Sequence, residues 1–338
     1  MTCRIGFDLY TIDHRLLSPD ASLEFAQSHG LDGVQFLEPA LIDPHLDPAR
    51  LAAFRRRANA LHLYLEVGIS SPNPIRASRQ EGREVAPSEL ALALAKQVAA
   101  ASALGCRHVR AFVAGRHDRF RRDTPWPQQI AATAEVLRLL TPTLLEKGLR
   151  IALETHADLT VDELLGLLDQ LDPAVAGVTL DTGNLLMRLD EPVRAAQRLA
   201  PWVLATHVKD CVLAHTPRGL AWQARPVGSG ILPLPDILAP LLNANPSLHL
   251  TIELHPRTYD LPIHDPSWLA FFPSLRPDSL TPILRLANLS ASKFANGSLA
   301  SPETVEAIPW PQRDLEWLAL SLGYLRRVAP ILTRIDSP

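Results

Sequence analysis

Four stretches decide how this chain is read: Ile151-Ala-Leu-Glu-Thr-His156, Val178-Thr-Leu-Asp-Thr-Gly183, Ala205-Thr-His-Val-Lys209 and Leu250-Thr-Ile-Glu-Leu-His255. Each is short and mostly apolar, and each carries one metal-ligating residue type near its end, Glu154, Asp181, His207 or Glu253. Successive candidates are 27, 26 and 46 residues apart, about one strand-helix unit for the first two and a unit with a longer loop for the third. Side chains alternate between the two faces of a strand. The residues sharing a face with the candidates, Ala152, Thr179, Ala205 and Thr251, are all small. Leu153, Leu180, Thr206 and Ile252 take the opposite face, where helices pack. The four candidates therefore share an interior with small residues beneath them.

The same alternation of strand and helix extends outward from these stretches. Ile5–Tyr10, Gly33–Glu38, Leu61–Gly68, His108–Ala114, Leu149–His156, Gly177–Thr182, Val203–Lys209 and His249–His255 read as strands. Amphipathic helices fall between them, among them Ser88–Leu104, Trp126–Lys147, Thr160–Leu171 and Glu191–Leu199. Gly30, Gly105 and Gly148 stand where a left-handed residue closes a helix. Eight strands alternating with helices predict an α/β fold, a single (β/α)8 barrel domain over residues 1–338. Its strands occupy about residues 4–256. A long insertion after the eighth strand, rich in Pro, Asp, Ser and Trp to about residue 300, and a C-terminal extension ending in a helix over Glu303–Arg327 complete it. That insertion either reaches over the mouth of the barrel or packs as a surface excursion.

Composition removes several classes of function. Charged residues make up 20% of the 338 and the net charge is −3, so no basic surface for nucleic acid is expected. Cys3, Cys106 and Cys211 show no paired spacing, which suits a reducing compartment. No secretory leader or membrane span is legible, and a cytoplasmic location is expected.

Three carboxylates and an imidazole converging at a barrel mouth repel one another unless a cation joins them. One divalent metal is expected, and oxygen-rich ligation with a single histidine suits Mn²⁺ first, with Mg²⁺ or Co²⁺ as alternatives. Lys209 has the parity of His207 and lies nearer the mouth, where it neutralises an enolate, pairs with a substrate carboxylate or bridges to a loop acid. His156 and His255 each stand two residues beyond a ligand glutamate, placed to bond a substrate hydroxyl or to orient the neighbouring shell. Asn184 and Arg225 are further candidate substrate contacts on mouth loops, Arg225 having a surface ion pair as its alternative, and Glu38, at the end of the second strand, is one more substrate-binding candidate. His62, His108 and His249 sit at strand starts and read as structural.

Leu153-Glu154-Thr-His156, Leu180-Asp181-Thr-Gly-Asn184, Thr206-His207-Val-Lys-Asp210 and Ile252-Glu253 resemble the xylose isomerase-like TIM barrels, which include sugar isomerases and ketose 3-epimerases. The resemblance is close over about residues 148–255 and rests elsewhere on the strand-helix period. Gly228-Ser-Gly230 before Leu234-Pro-Asp236 is similar to the glycine turn ahead of the family's seventh helix. The resemblance implies Glu154 and Glu253 as an acid/base pair, a small carbohydrate or sugar acid as substrate, a metal-stabilised enediolate, and a homodimer.

Two positions depart from the ketose 3-epimerases. Asn184 stands where they carry histidine, and Thr155 where they carry proline after the first ligand. These features are closer to a branch that includes decarboxylases of 3-oxo sugar acids such as 3-oxo-isoapionate, and the wider family includes 3-dehydroshikimate dehydratases. Isomerisation or epimerisation is the first expectation. A carbon-carbon lyase, served by Lys209 and Arg225 as anion-binding groups, is the alternative. Endonuclease IV shares the barrel but needs more histidine ligands than His207 alone.

Overall fold

A computed structural model of the chain describes residues 3–332. Eleven strands appear among them: β1 (Ile5–Asp8), β2 (Gly33–Phe36), β3 (Tyr64–Val67), β4 (His108–Ala111), β5 (Arg150–Glu154), β6 (Ala176–Asp181), β7 (Val203–His207), β8 (Asp210–Thr216), β9 (Gly219–Arg225), β10 (Leu250–Ile252) and β11 (Thr258–Leu261). Eight of them are parallel and form two sheets, ordered β10-β1-β2-β3 and β4-β5-β6-β7. Bridges between Gly68 and Arg110 and between Val208 and Ile252 join the sheets at both seams. The expected eight-stranded barrel is present, with most strands ending earlier than their apolar runs.

The helix starts share a chemical device. Pro19, Pro48, Pro74 and Pro192 each open a helix, and the residue before each, Ser18, Asp47, Asn73 or Glu191, accepts a backbone N–H of the first turn. Proline there gives up only an N–H that the helix would leave unbonded, and its fixed φ suits the first turn. Thr160 and Glu163 form a reciprocal cap on the helix Val161–Leu168. Inside the barrel, Tyr64 lies across Gly6 and Gly33, where any Cβ would collide with its ring or hydroxyl. Large and absent side chains thus interdigitate across three neighbouring strands.

The C-terminal third differs from expectation in two ways. Residues 210–225, read as connection, form the hairpin β8-β9, which pairs with β11 in a three-stranded antiparallel sheet. The insertion contains, besides β11, the helices Pro266–Leu269 and Pro277–Ala295. Ser290 of the longer one accepts the Leu213 N–H at 3.1 Å, holding that helix on the hairpin. Arg119 donates to the Phe271 carbonyl at 2.7 Å, and Phe120 stacks on Trp268, so the insertion is anchored to the loop after β4 on the C-terminal face.

The expected final helix is two, Pro302–Glu306 and Trp310–Leu332, broken ahead of Pro309, which disfavours a helical residue before it. The second packs against β1 and β10 and takes the eighth helical position of the barrel. Trp310 donates to the Thr11 carbonyl at 3.2 Å and Arg15 pairs with Asp314 at 2.7 Å, fastening it there. Among the described residues no helix is long and apolar enough to cross a membrane.

Candidate metal centre

The ends of β5, β6, β7 and the segment after β10 bring Glu154, Asp181, His207 and Glu253 together, all buried, with one ligand atom from each within 4.8 Å of the others. His207 is the hub. Its Nδ1 lies 2.6 Å from Glu253 Oε2, 3.3 Å from Glu154 Oε1 and 3.9 Å from Asp181 Oδ2. Both Nδ1 of His207 and Oε2 of Glu253 are buried without a hydrogen-bond partner. An imidazole nitrogen facing three carboxylates inside a buried cluster fits a shared cation, whose place a proton or Lys209 takes when no ion is bound. The donor set fits as well: three carboxylates and one imidazole suit a hard or borderline divalent ion.

The other imidazole nitrogen is fixed from below. His207 Nε2 donates to Gln35 Oε1 at 2.5 Å, and Gln35 Nε2 in turn donates to Glu66 Oε2 at 3.0 Å. This bond leaves the Nδ1 lone pair directed at the carboxylates, the tautomer that a metal requires. Asp181 is held by the Gly183 and Asn184 N–H groups, both at 3.0 Å, and by the Asn184 amide at 2.7 Å. Asn184 thus spends its side chain on orienting a ligand.

Charge balance in the site comes from three cations. Arg110 donates to Glu154 Oε2 at 2.5 Å. Burial opposes the charge of Glu154, but Arg110 and His207 outweigh it and keep the carboxyl below its ordinary range. Lys209 Nζ lies 2.6 Å from Asp181 Oδ2 and 3.0 Å from Glu253 Oε2. Glu253 is likewise held ionised against burial by Lys209 and His207, and those acids keep the Lys209 amine charged. Burial alone would suppress a charge on His207, yet Glu253 and Glu154 push it up to about 10. Without a metal, a proton on the imidazole takes the cation's place.

The remaining candidates scatter around this centre. His255 lies among the rings of Tyr10, Trp222 and Tyr259, with centroids 5.6–6.3 Å away, and its Nδ1 is unpaired. Burial and the nearby Lys209 bring it down to about 3, so the ring is neutral. His156 stacks on Phe112 and faces the Ala114 carbonyl at 3.2 Å. Glu38 accepts from Ser70 at 3.1 Å, on the loop beyond β2. Arg225 turns toward the C-terminal extension, where it bonds Gln223 and the carbonyls of Ala224 and Ala300. The guanidiniums at the mouth are instead those of Arg116, over Tyr259 at 4.3 Å, and Arg257, over Tyr10 at 5.4 Å.

The first four strands contribute Asp8, Gln35, Glu66 and Arg110 to the interior, residues that the sequence reading passed over. Burial, then the charge of Glu253, pushes Asp8 up to about 6. Arg110 had a signal: a lone arginine inside His108-Val-Arg-Ala-Phe-Val-Ala114 demands a buried acid. The glycine turn also finds its purpose. Asp210 accepts the N–H groups of Gly228, Gly230 and Leu232 at 2.9–3.1 Å, and a Cβ on Gly230 would strike that carboxylate. This turn leads into the helix Leu234–Ala244.

Three comparisons bear on this architecture. The chain is 25% identical over 226 residues to the uncharacterized protein YihM of Escherichia coli (strain K12), an alignment covering 67% of this chain and 60% of that protein. The D-psicose 3-epimerase of Clostridium cellulolyticum H10, solved with D-tagatose, superposes with a TM-score of 0.60 at 13% identity, over 88% of this chain and 100% of that one. The probable 3-DHS dehydratase AsbF of Bacillus anthracis gives 0.55 at 17% identity, over 74% and 92%. At these identities the two structures share the fold. A family described as xylose isomerase-like TIM barrel matches residues 23–270, and the chain belongs to that family.

Proposed function

We propose that the chain is a divalent-metal-dependent isomerase or epimerase of a keto-sugar or sugar acid, moving a proton at the carbon beside a carbonyl. One observation carries the reading: two ionised carboxylates, Glu154 and Glu253, flank the same imidazole nitrogen at 3.3 and 2.6 Å. Glu154, Asp181, His207 and Glu253 would hold the cation, Mn²⁺ by preference for this donor set, with Mg²⁺ or Co²⁺ as alternatives. When bound it supplies Lewis-acid stabilisation of the negative charge that develops next to the carbonyl.

The protein groups handle the proton. One glutamate takes it from the carbon on one face, and the other delivers a proton to the opposite face or to the neighbouring carbon. Arg110 holds Glu154 Oε2 and so fixes the direction in which this carboxylate faces the imidazole and the reacting carbon. Lys209, 3.0 Å from Glu253 Oε2, can pass a proton to that carboxylate and take it back. Tyr10 and Tyr259, half-buried over His255 and the fully buried Trp222, form an amphipathic wall against which the carbon chain of a sugar would lie. The free thiols of Cys3, Cys106 and Cys211 support a reducing, cytoplasmic location as part of the proposal.

A second reading has its own support. Lys209 inside, with Arg116 and Arg257 at the mouth, is a basic path suited to a carboxylate-bearing substrate. Such a substrate, carrying an oxo group two carbons from its carboxylate, would lose CO₂ by cleavage of the C–CO₂⁻ bond. The electron pair passes to the enolate, and a glutamic acid or Lys209 then protonates the carbon. Incubation of the metal-loaded protein in D₂O with ketoses and with 3-oxo sugar acids separates the two. Deuterium at an inverted or isomerised carbon without CO₂ is the expected result, and CO₂ release overturns the isomerase assignment.

A further inference from the structure

At the N-terminal end of the barrel, opposite the candidate metal centre, lies a cavity of about 690 Å³. Arg4, Arg55, Arg107 and Arg150 line it, and Glu66 is its sole lining carboxylate. Four guanidiniums against one acid leave a surplus of three positive charges in a concave wall. The charge of Glu66 is already engaged: His249 Nδ1 lies at 3.2 Å, His108 Nε2 at 3.7 Å, and Gln35 and Thr251 donate to it at 3.0 and 3.2 Å. Among the described residues, none of the four arginines pairs with a carboxylate. Arg4 bonds the carbonyls of Asp32 and His62, and Arg150 that of Ala176.

The floor of the cavity is equally unsatisfied. His108 Nε2 and Arg150 Nε are buried without a hydrogen-bond partner. Tyr64 and His249 stack at 3.8 Å across the base, with Arg4 over the tyrosine ring at 5.2 Å. Uncompensated like charge in a cleft costs stability and focuses a positive potential into it. Guanidinium forks match phosphate and carboxylate oxygens two at a time, so several converging forks select for a ligand with more than one anionic group. The volume is that of a small-molecule pocket.

We propose that this cavity binds a small polyanion, a metabolite bearing two or more phosphate or carboxylate groups, held by Arg4, Arg55, Arg107 and Arg150 with His108 and His249 at its floor. The site is separate from the substrate mouth, being walled by the starts of β3, β4 and β5 rather than by their ends.

The test titrates the metal-loaded protein by calorimetry with 2,3-bisphosphoglycerate as the phosphate probe and tricarballylate as the carboxylate probe. At least one should bind with a Kd of about 100 μM or tighter, and acetate about 100-fold or more weakly. Which probe binds names the ligand's anionic group. Arg55 and Arg107 are exposed, so the double variant R55A/R107A keeps the fold and should weaken binding about 100-fold. In protein labelled with ¹⁵N-histidine, the ring signals of His108 and His249 should move on binding while those of His156 and His255 stay. Failure of both probes to bind, full binding by the double variant, or movement confined to His156 and His255 overturns the proposal.

Discussion

Gln35 and His207, 172 residues apart, share a 2.5 Å hydrogen bond that decides which imidazole nitrogen faces the carboxylates. Gln35 touches none of the three acids of the ligand set, so its contribution to metal binding runs entirely through the ring. Outer partners of metal-ligating histidines typically contribute 10–100-fold to affinity. Gln35→Leu should therefore fold and lose metal affinity by about 10–100-fold, read by competition with a fluorescent chelator. Unchanged affinity would show that Nδ1 is oriented by other contacts.

Arg110 is buried and is the counter-charge of Glu154. Arg110→Met leaves a buried carboxylate beside two others. Breaking such a pair typically costs about 3–5 kcal/mol. Urea unfolding of the metal-free variant should show a loss of that order, with saturating metal restoring part of it because the ion replaces the missing charge. A variant as stable as the parent without metal contradicts this role.

Lys209 pairs with Asp181 and Glu253, so on the proposed reading it both competes with the cation and serves the reaction, and the two roles are separable. Lys209→Met should bind metal as tightly as the parent or up to about 10-fold more tightly, yet lose about 100-fold or more in turnover. Calorimetry and steady-state rates on the same preparation check both halves. A tenfold loss of metal affinity would assign Lys209 to building the ligand set.

Asp190 offers a pH dependence away from the metal. It accepts the Val161 N–H at 3.0 Å at the start of a helix, and burial raises its carboxyl to about 7. The neutral form is the one favoured by folding. Its stabilising contribution is complete below the unfolded carboxyl range, near pH 4, and is lost as pH rises through about 7. Asp190→Asn removes that slope. Parent stability should fall relative to the variant by roughly 2–4 kcal/mol between about pH 4 and pH 8, measured by chemical denaturation at each pH. Parallel pH curves for the two proteins would contradict the assignment.

Half of the site was legible because chemistry repeats in the last four strands. Glu154, Asp181, His207 and Glu253 are all ligand types, each at the end of its strand, above a small residue on the same face. Asp8, Gln35, Glu66 and Arg110 support those ligands from the first four strands without sharing type or height. Glu66 sits at the level of Thr251, whereas Gln35 reaches His207. An acid, an amide, another acid and a base show no pattern along the chain, and only closure of the barrel gives them one.

The C-terminal third was misread for a related reason. The Pro-rich insertion was given no helices of its own, yet Pro266 and Pro277 each open one there, as Pro302 does beyond it, and Asp265 and Ser301 cap two of those starts. The same Asp-Pro and Ser-Pro pairs at Asp47-Pro48 and Ser18-Pro19 carry the rule in the first two helices. The hairpin was missed because Cys211–Ala214 continues an apolar run already assigned to a parallel strand.

The helix Trp310–Leu332 joins the two ends of the chain, its Trp310 reaching Thr11 across 299 positions. On the ribosome it emerges after every one of the four ligands. A growing polypeptide has Glu154, Asp181, His207 and Glu253 already in hand while the flank of β1 and β10 is still bare. Contacts of such long sequence separation form late and slowly. On the proposed reading, the cation site is complete only when that last seam closes, so a C-terminal truncation before Trp310 should lose metal binding while leaving all four residues in the chain.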